Sequence, residues 1–323
     1  MFSRAELVAA QRLVHAEMPP TPQYRWPLLE AEAGCELWLK HENHTPTGAF
    51  KIRGGIVYVD SLRREAPATA GLVSATRGNH GQSLARAAGA AGLPVTIVAP
   101  RTNSPEKNAA MAAFGARLVL EGDDFDGARA HARRLAARNG LHMVPSFHPW
   151  LVRGVATYAL ELFEATGPLD AVYVPIGLGS GIAGLVTVRD LLGVATEIVG
   201  VVAAGAPAYA RSFAKGEVVT TAEARTFADG MACRAPDPDA LALIRRGVAR
   251  VLELGEDDIA EAVRLVYRAT HNLAEGAGAA GLAGLLQERH AMAGKRCAVV
   301  LCGGNIDAPV LAEILEGRTP APF

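Results

Sequence analysis

Short apolar runs alternate with alanine-rich stretches of helical period along most of the chain, and this alternation limits the possible folds more than any other feature. ELWLK (36–40), GLVSAT (71–76), VTIVAP (95–100), ARLVLE (116–121), HMVPS (142–146), AVYVPI (171–176), EIVGVVA (197–203) and CAVVLCG (297–303) read as strands. Between them GQSLARAAGAAG (81–92), SPEKNAAMAAFG (104–115) and DDFDGARAHARRLAARNG (123–140) read as helices, with Ser104 suited to cap the second and Pro105 at its first helical position. Strands separated by helices return by crossovers, which makes this an α/β chain with open, mostly parallel sheets and helices on both faces. At 323 residues, half of them hydrophobic, it can fill two domains or one large α/β unit. A domain seam is expected near PSFHPWLVRG (145–154), where Pro, His and Trp interrupt the alternation. The aperiodic stretch 216–240 reads as a long excursion.

Charge and cysteine usage exclude several functions. Basic residues number 32 and acidic ones 33, so no surface for nucleic acid or anionic membrane is expected. Cys35, Cys233, Cys297 and Cys302 form no CxxC pair, which argues against a disulfide framework or zinc site and for a reducing cytoplasm. The first residues contain acidic side chains and no apolar core of a signal peptide. No apolar run reaches the ~18 residues of a membrane span.

Chemistry concentrates at glycine-rich turns that follow strands. In VPIGLGSGIAG (174–184), Gly177, Gly179 and Gly181 free backbone N–H groups at a helix start, and the Ser180 hydroxyl adds a donor; together they form a cup for one phosphate. A ligand-free tight turn would use the same residues. A dinucleotide site is disfavoured because the third glycine position of GxGxxG is Ile182 and the next strand ends without an acidic residue. SATRGNHGQS (74–83) is a second such turn and LCGGNID (301–307) a third, with Cys302 at a strand's C-terminal end. TPTGAFKIRGG (45–55) places Lys51 behind a small-residue turn, as a reactive amine or as an ordinary helix-start lysine. HENH (41–44) has metal-like spacing but no third ligand. His80 and His148 read as hydrogen-bonded structural groups.

Taken together and in order, TGAFKIRGG, RGNHGQS, PIGLGSGIAG, EGAGAAG (275–281) and CGGN (302–305) resemble the fold-type II pyridoxal-phosphate enzymes, a two-domain, tryptophan synthase β-like fold. Within them the chain is most similar to the serine/threonine dehydratase (threonine ammonia-lyase) and serine racemase branch. The resemblance implies a large domain of residues 1–64 and 148–323, a small domain of 65–147, pyridoxal 5'-phosphate as cofactor, an amino-acid substrate and a homodimer. It assigns the Schiff-base amine to Lys51, packing against the pyridine ring to Phe50 and a hydrogen bond to the ring's 3'-oxygen to Asn79. Phosphate binding falls to Gly177, Leu178, Gly179, Ser180 and Gly181, and the position near the ring nitrogen to Cys302. Thr76, Arg77, Gly78, Asn79 and His80 would hold the substrate carboxylate; Glu275 matches an acidic wall residue without a defined role. A neutral lysine is needed for imine formation, and burial favours it.

Departures from the family pattern sharpen the expectation. Arg77 stands where racemases carry serine, and an arginine is a poor proton shuttle, so little racemase activity is expected. Arg77 would pair with a local carboxylate or grip a second substrate carboxylate, as in 3-hydroxyaspartate. Val202, Ala206 and Ala208 stand where some relatives bind a divalent cation, so no metal is expected. Ending at residue 323, without the regulatory domain of the feedback-controlled relatives, the chain is expected to ignore isoleucine. The expected activity is dehydration of a β-hydroxy-α-amino acid, threonine or serine by default. Bulkier or acidic substrates (phenylserine, 3-hydroxyaspartate), β-replacement on an activated serine, and a cofactor-binding homologue without turnover stay open.

Overall fold

The computed structural model describes residues 1–322. Among them run ten strands: β1 (Gln23–Arg25), β2 (Glu36–His41), β3 (Leu72–Ala75), β4 (Val95–Ala99), β5 (Arg117–Leu120), β6 (His142–Met143), β7 (Ala171–Pro175), β8 (Glu197–Ala203), β9 (Arg250–Leu254) and β10 (Arg296–Leu301). Thirteen α-helices accompany them. The first seven are α1 (Arg4–Glu17), α2 (Pro27–Ala33), α3 (Lys51–Glu65), α4 (Asn79–Ala90), α5 (Pro105–Ala113), α6 (Phe125–Asn139) and α7 (Pro149–Thr166). The remainder are α8 (Ser180–Leu192), α9 (Ala208–Lys215), α10 (Pro238–Gly247), α11 (Glu256–Thr270), α12 (Gly276–Gln287) and α13 (Ala308–Leu315).

The strands build two sheets. One has six strands in the order β1-β2-β10-β7-β8-β9, and the other four in the order β5-β4-β3-β6. Every pairing is parallel except β1 with β2. Parallel strands buried on both faces carry apolar residues without alternation, as β7 and β10 do: all of β7, and all of β10 beyond Arg296, is buried. Ser104 caps α5 by accepting from Lys107 N at 3.0 Å, with Pro105 first in the helix, as its sequence predicts.

Three strands differ from the sequence reading. HMVPS pairs only at His142 and Met143, since Pro145 has no N–H to continue a ladder. β1 is a three-residue edge too short to show a pattern, and β9 mixes charged and apolar residues at the sheet's other edge. The excursion 216–240 contains one 3-10 turn, Asp229–Met231, before α10 begins at Pro238.

Strand order positions the site. β10, last in the chain, inserts between β2 and β7, so Leu301 pairs with His41 and Val299 with Tyr173. The turns at the C-terminal ends of these three neighbours therefore converge: Lys51 follows β2, the Gly177 turn follows β7, and Cys302 follows β10. Helix α12 is buried all round against the same strands. It lies close because a Cβ at Gly281 would stand 2.9 Å from Tyr173 O and one at Gly284 2.5 Å from Val201 Cγ1.

Candidate active site

Lys51 opens α3, and the segment before it is pinned to the end of β10. Phe50 N donates to Cys302 O at 3.0 Å, and Ala49 bridges Gly303. Thr45 Oγ1 accepts from Ala49 N at 2.9 Å, and Ser83 Oγ of α4 donates to Lys51 O at 2.6 Å. So held, Lys51 Nζ reaches Ser180 Oγ at 3.0 Å and lies 4.7 Å from the Phe50 ring centre. Burial pulls the ammonium down to about 8, against the opposing pull of Cys302 and Glu275.

The turn after β7 makes the cup. Gly179 adopts the left-handed conformation at φ 94° and leads into α8 without a side-chain cap, leaving the first-turn N–H groups for a ligand. Gly177 has no alternative, because a Cβ there would meet Gly230 O at 2.3 Å. Leu178 fits with ordinary backbone angles, and Tyr209 Oη donates to its carbonyl at 3.1 Å. Tyr158 Oη donates to Gly181 O at 3.0 Å, while its ring meets Phe50 edge-on.

The loop after β3 faces this cup from the smaller sheet. Thr76 Oγ1 accepts from Gly78 N at 3.1 Å and tightens the turn. Asn79 Nδ2 donates to Glu275 Oε1 at 2.8 Å, and Asn305 Nδ2 donates to Asn79 Oδ1 at 2.8 Å. Arg77 is partly exposed and has no ion-pair partner among the described residues, so the local pairing open to it in sequence is not formed. His80 corrects the reading of it as a hydrogen-bonded group. Its Nε2 is buried without a partner, and burial with nearby Lys51 drives it down to about 3, leaving a neutral imidazole. His148 does serve structurally, capping α7 by accepting from Trp150 N at 3.2 Å. Burial, reinforced by Glu275, pushes the Cys302 thiol well above its ordinary range, so it stays neutral.

Sequence reasoning missed three contributors. Lys107 of α5 pairs with Asp229 and, together with Glu275, Asn305 and Asp307, lines a cavity between the sheets. Asn305, quoted in CGGN, received no role. Arg53, two residues past Lys51, is fully buried: it donates to Glu42 at 2.7 Å and to Glu161 at 2.6 Å, while Lys40 donates to Glu161 at 2.6 Å. Two cations balance two carboxylates there and tie the Lys51 helix to β2 and α7. No local pattern separates a buried arginine of this kind from a surface one. The HENH residues are engaged within the protein: Trp26 Nε1 donates to His41 Nε2 at 3.0 Å, Glu42 pairs with Arg53, and His44 Nε2 lies 2.6 Å from Asn272 Oδ1. Val202, Ala206 and Ala208 are buried and apolar.

A lysine at a glycine-lined, uncapped helix N-terminus, with a neutral thiol and an amide nearby, suits an aldehyde cofactor that carries a phosphate. The buried, unpartnered Glu275 Oε2 and His80 Nε2 are consistent with a polar occupant. The family model for pyridoxal-phosphate dependent enzymes matches residues 15–303, and the chain belongs to that family. Among its relatives, the L-threonine ammonia-lyase of Geobacter sulfurreducens is 36% identical over 88% of this chain and 70% of its own. The L-threo-3-hydroxyaspartate ammonia-lyase of a Pseudomonas species is 32% identical over 92% and 93%. The structure of the processed form of threonine deaminase isoform 2 from Solanum lycopersicum superposes with a TM-score of 0.88 at 28% identity, covering 98% of this chain and 89% of that one.

Proposed function

We propose that this enzyme is a pyridoxal-phosphate dependent carbon–oxygen lyase that converts a β-hydroxy-α-amino acid to a 2-oxo acid and ammonia. The observation that carries this reading is Lys51 Nζ, 3.0 Å from Ser180 Oγ at the edge of the glycine cup. Bound there, pyridoxal phosphate supplies an electron sink for the pair left at the α-carbon. Lys51 would be the covalent anchor, with Gly177 to Gly181 holding the phosphate and Phe50 packing beside the ring. Thr76 to His80 hold the substrate carboxylate, which fixes the α-hydrogen toward Lys51. Once its bond to the cofactor has passed to the substrate's amino group, the freed Lys51 Nζ would take that proton. Cys302, a neutral thiol, would offer the ring nitrogen only a weak hydrogen bond, which would favour elimination over reactions that need a long-lived carbanion.

Threonine and serine are the proposed substrates, with support from the threonine ammonia-lyases among the relatives. A dicarboxylic substrate is the second reading: Arg77 is an unpaired cation on the carboxylate loop, and 3-hydroxyaspartate ammonia-lyases match nearly end to end. Residues 1–64 with 148–323 and residues 65–147 are proposed as the two domains, and a cytoplasmic homodimer as the working form. Assaying threonine, serine, phenylserine and 3-hydroxyaspartate for 2-oxo acid and ammonia tests the reaction. Borohydride should fix the cofactor on Lys51 and not in Lys51→Ala. Turnover only of O-acetylserine with sulfide would overturn the dehydratase in favour of β-replacement. Arg77→Ala should cut activity on 3-hydroxyaspartate at least about tenfold more than on threonine if Arg77 grips a second carboxylate.

A further inference from the structure

Asn79 has both ends of its amide engaged, and the direction of each bond is set from outside. Thr47 O can only accept, and it takes a hydrogen bond from Asn305 Nδ2 at 2.8 Å. The same Nδ2 donates to Asn79 Oδ1 at 2.8 Å, so Asn79 must turn its own Nδ2 the other way, where it donates to Glu275 Oε1 at 2.8 Å. An asparagine that could otherwise flip is thereby held in one orientation. Two glycines make room for this chain: a Cβ at Gly48 would meet Asn305 Oδ1 at 2.5 Å, and one at Gly303 would meet Glu275 Oε1 at 2.5 Å. The second carboxylate oxygen of Glu275 is buried without a partner.

We infer that Thr47, Asn305 and Glu275 form a one-way relay that positions the Asn79 amide toward the cofactor ring, with Glu275 a positioning residue that sets how strongly Asn79 can donate. This rests on the reading that Asn79 meets the ring's 3'-oxygen. An ionised Glu275 draws on the Asn79 amide and competes with the ring; a neutral one releases it. The groups facing Glu275 are Lys107 from α5, Asp229 from the 3-10 turn, Lys51 from α3 and Cys302 beyond β10. Burial, the dominant influence, holds the carboxyl at about 7, with Lys107 opposing and Asp229 reinforcing it. The donor strength of Asn79 therefore changes around neutrality.

The test titrates the visible absorption of the bound cofactor in the holoenzyme, alongside cofactor affinity. Wild type should show a spectral step near 7, and Glu275→Gln should lose it while keeping the cofactor. Asn305→Ala should shift the band and weaken cofactor binding about fivefold, the effect of one hydrogen bond. Should that variant fail to fold, Asn305→Asp keeps the volume, removes both donors and should show the same shift. Asn79→Ala should change both readouts as well. A step retained in Glu275→Gln, with an Asn305 variant of wild-type spectrum and affinity, overturns the relay while Asn79→Ala still reports the ring contact. An Asn79→Ala protein indistinguishable from wild type removes the ring contact itself, and the relay with it.

Discussion

Replacing Glu161 by Gln should destabilise the protein by roughly 3–5 kcal/mol at neutral pH, because it leaves a buried positive charge without its counterion. Glu161 Oε1 accepts from Arg53 Nη1 at 2.6 Å, and Oε2 accepts from Arg53 Nη2 at 2.8 Å and Lys40 Nζ at 2.6 Å. Lys40 and Arg53 are both fully buried. Glutamine can present one oxygen to these donors but must turn an NH2 group toward the others, leaving Glu42 alone against two cations. The acid titration gives an independent size. Although burial alone would raise the carboxyl, Arg53 and Lys40 outweigh it and hold Glu161 at about 2, against an ordinary 4.5. That difference corresponds to roughly 3 kcal/mol. A depressed carboxyl stabilises the fold above its unfolded value, and the contribution fades as pH falls toward 2. The gap between wild type and Glu161→Gln, measured by urea unfolding, should therefore be full at pH 7 and close in acid, where wild-type Glu161 is itself neutral. A gap below about 1 kcal/mol at pH 7, or one that does not narrow below the unfolded pKa, would refute the reasoning.

Two further outcomes follow from the site. Uptake of pyridoxal phosphate by the apoprotein should quicken as pH rises through about 8, where Lys51 loses its proton; a rate flat across that range would contradict the buried-amine picture. Gly177→Ala should weaken cofactor binding at least about tenfold, since its methyl would press within 2.3 Å of Gly230 O and shift the cup; unchanged affinity would mean that the turn relaxes freely.

Legibility from sequence ended at different places for different residues. Ser104 and Pro105 announced α5 because capping is a local bargain between a side chain and the next backbone N–H groups. Gly177 to Gly181 announced the turn between β7 and α8 because a strand, glycines and a helix start are contiguous in the sequence. Lys51 could be singled out by its setting between a small-residue turn and a helix, while its burial came only from the tertiary fold. His80 was read as hydrogen-bonded, yet its environment depends on how α4 meets the other sheet. Arg53 and Lys107 looked like any other cations.

The alternation of strand and helix periods determined an α/β architecture, and the turns that interrupt it marked where ligands could gather. Both are short-range: they depend on which face a side chain takes and which backbone angles a residue tolerates. Tertiary structure decided that β10 lies between β2 and β7, which brings Cys302 to Lys51 and Asn305 to Asn79 across most of the chain. It also decided which charges are buried, and hence which carboxyls and amines leave their ordinary ranges. Burial and long-range pairing depend on the whole packed arrangement, so no window of neighbouring residues carries them.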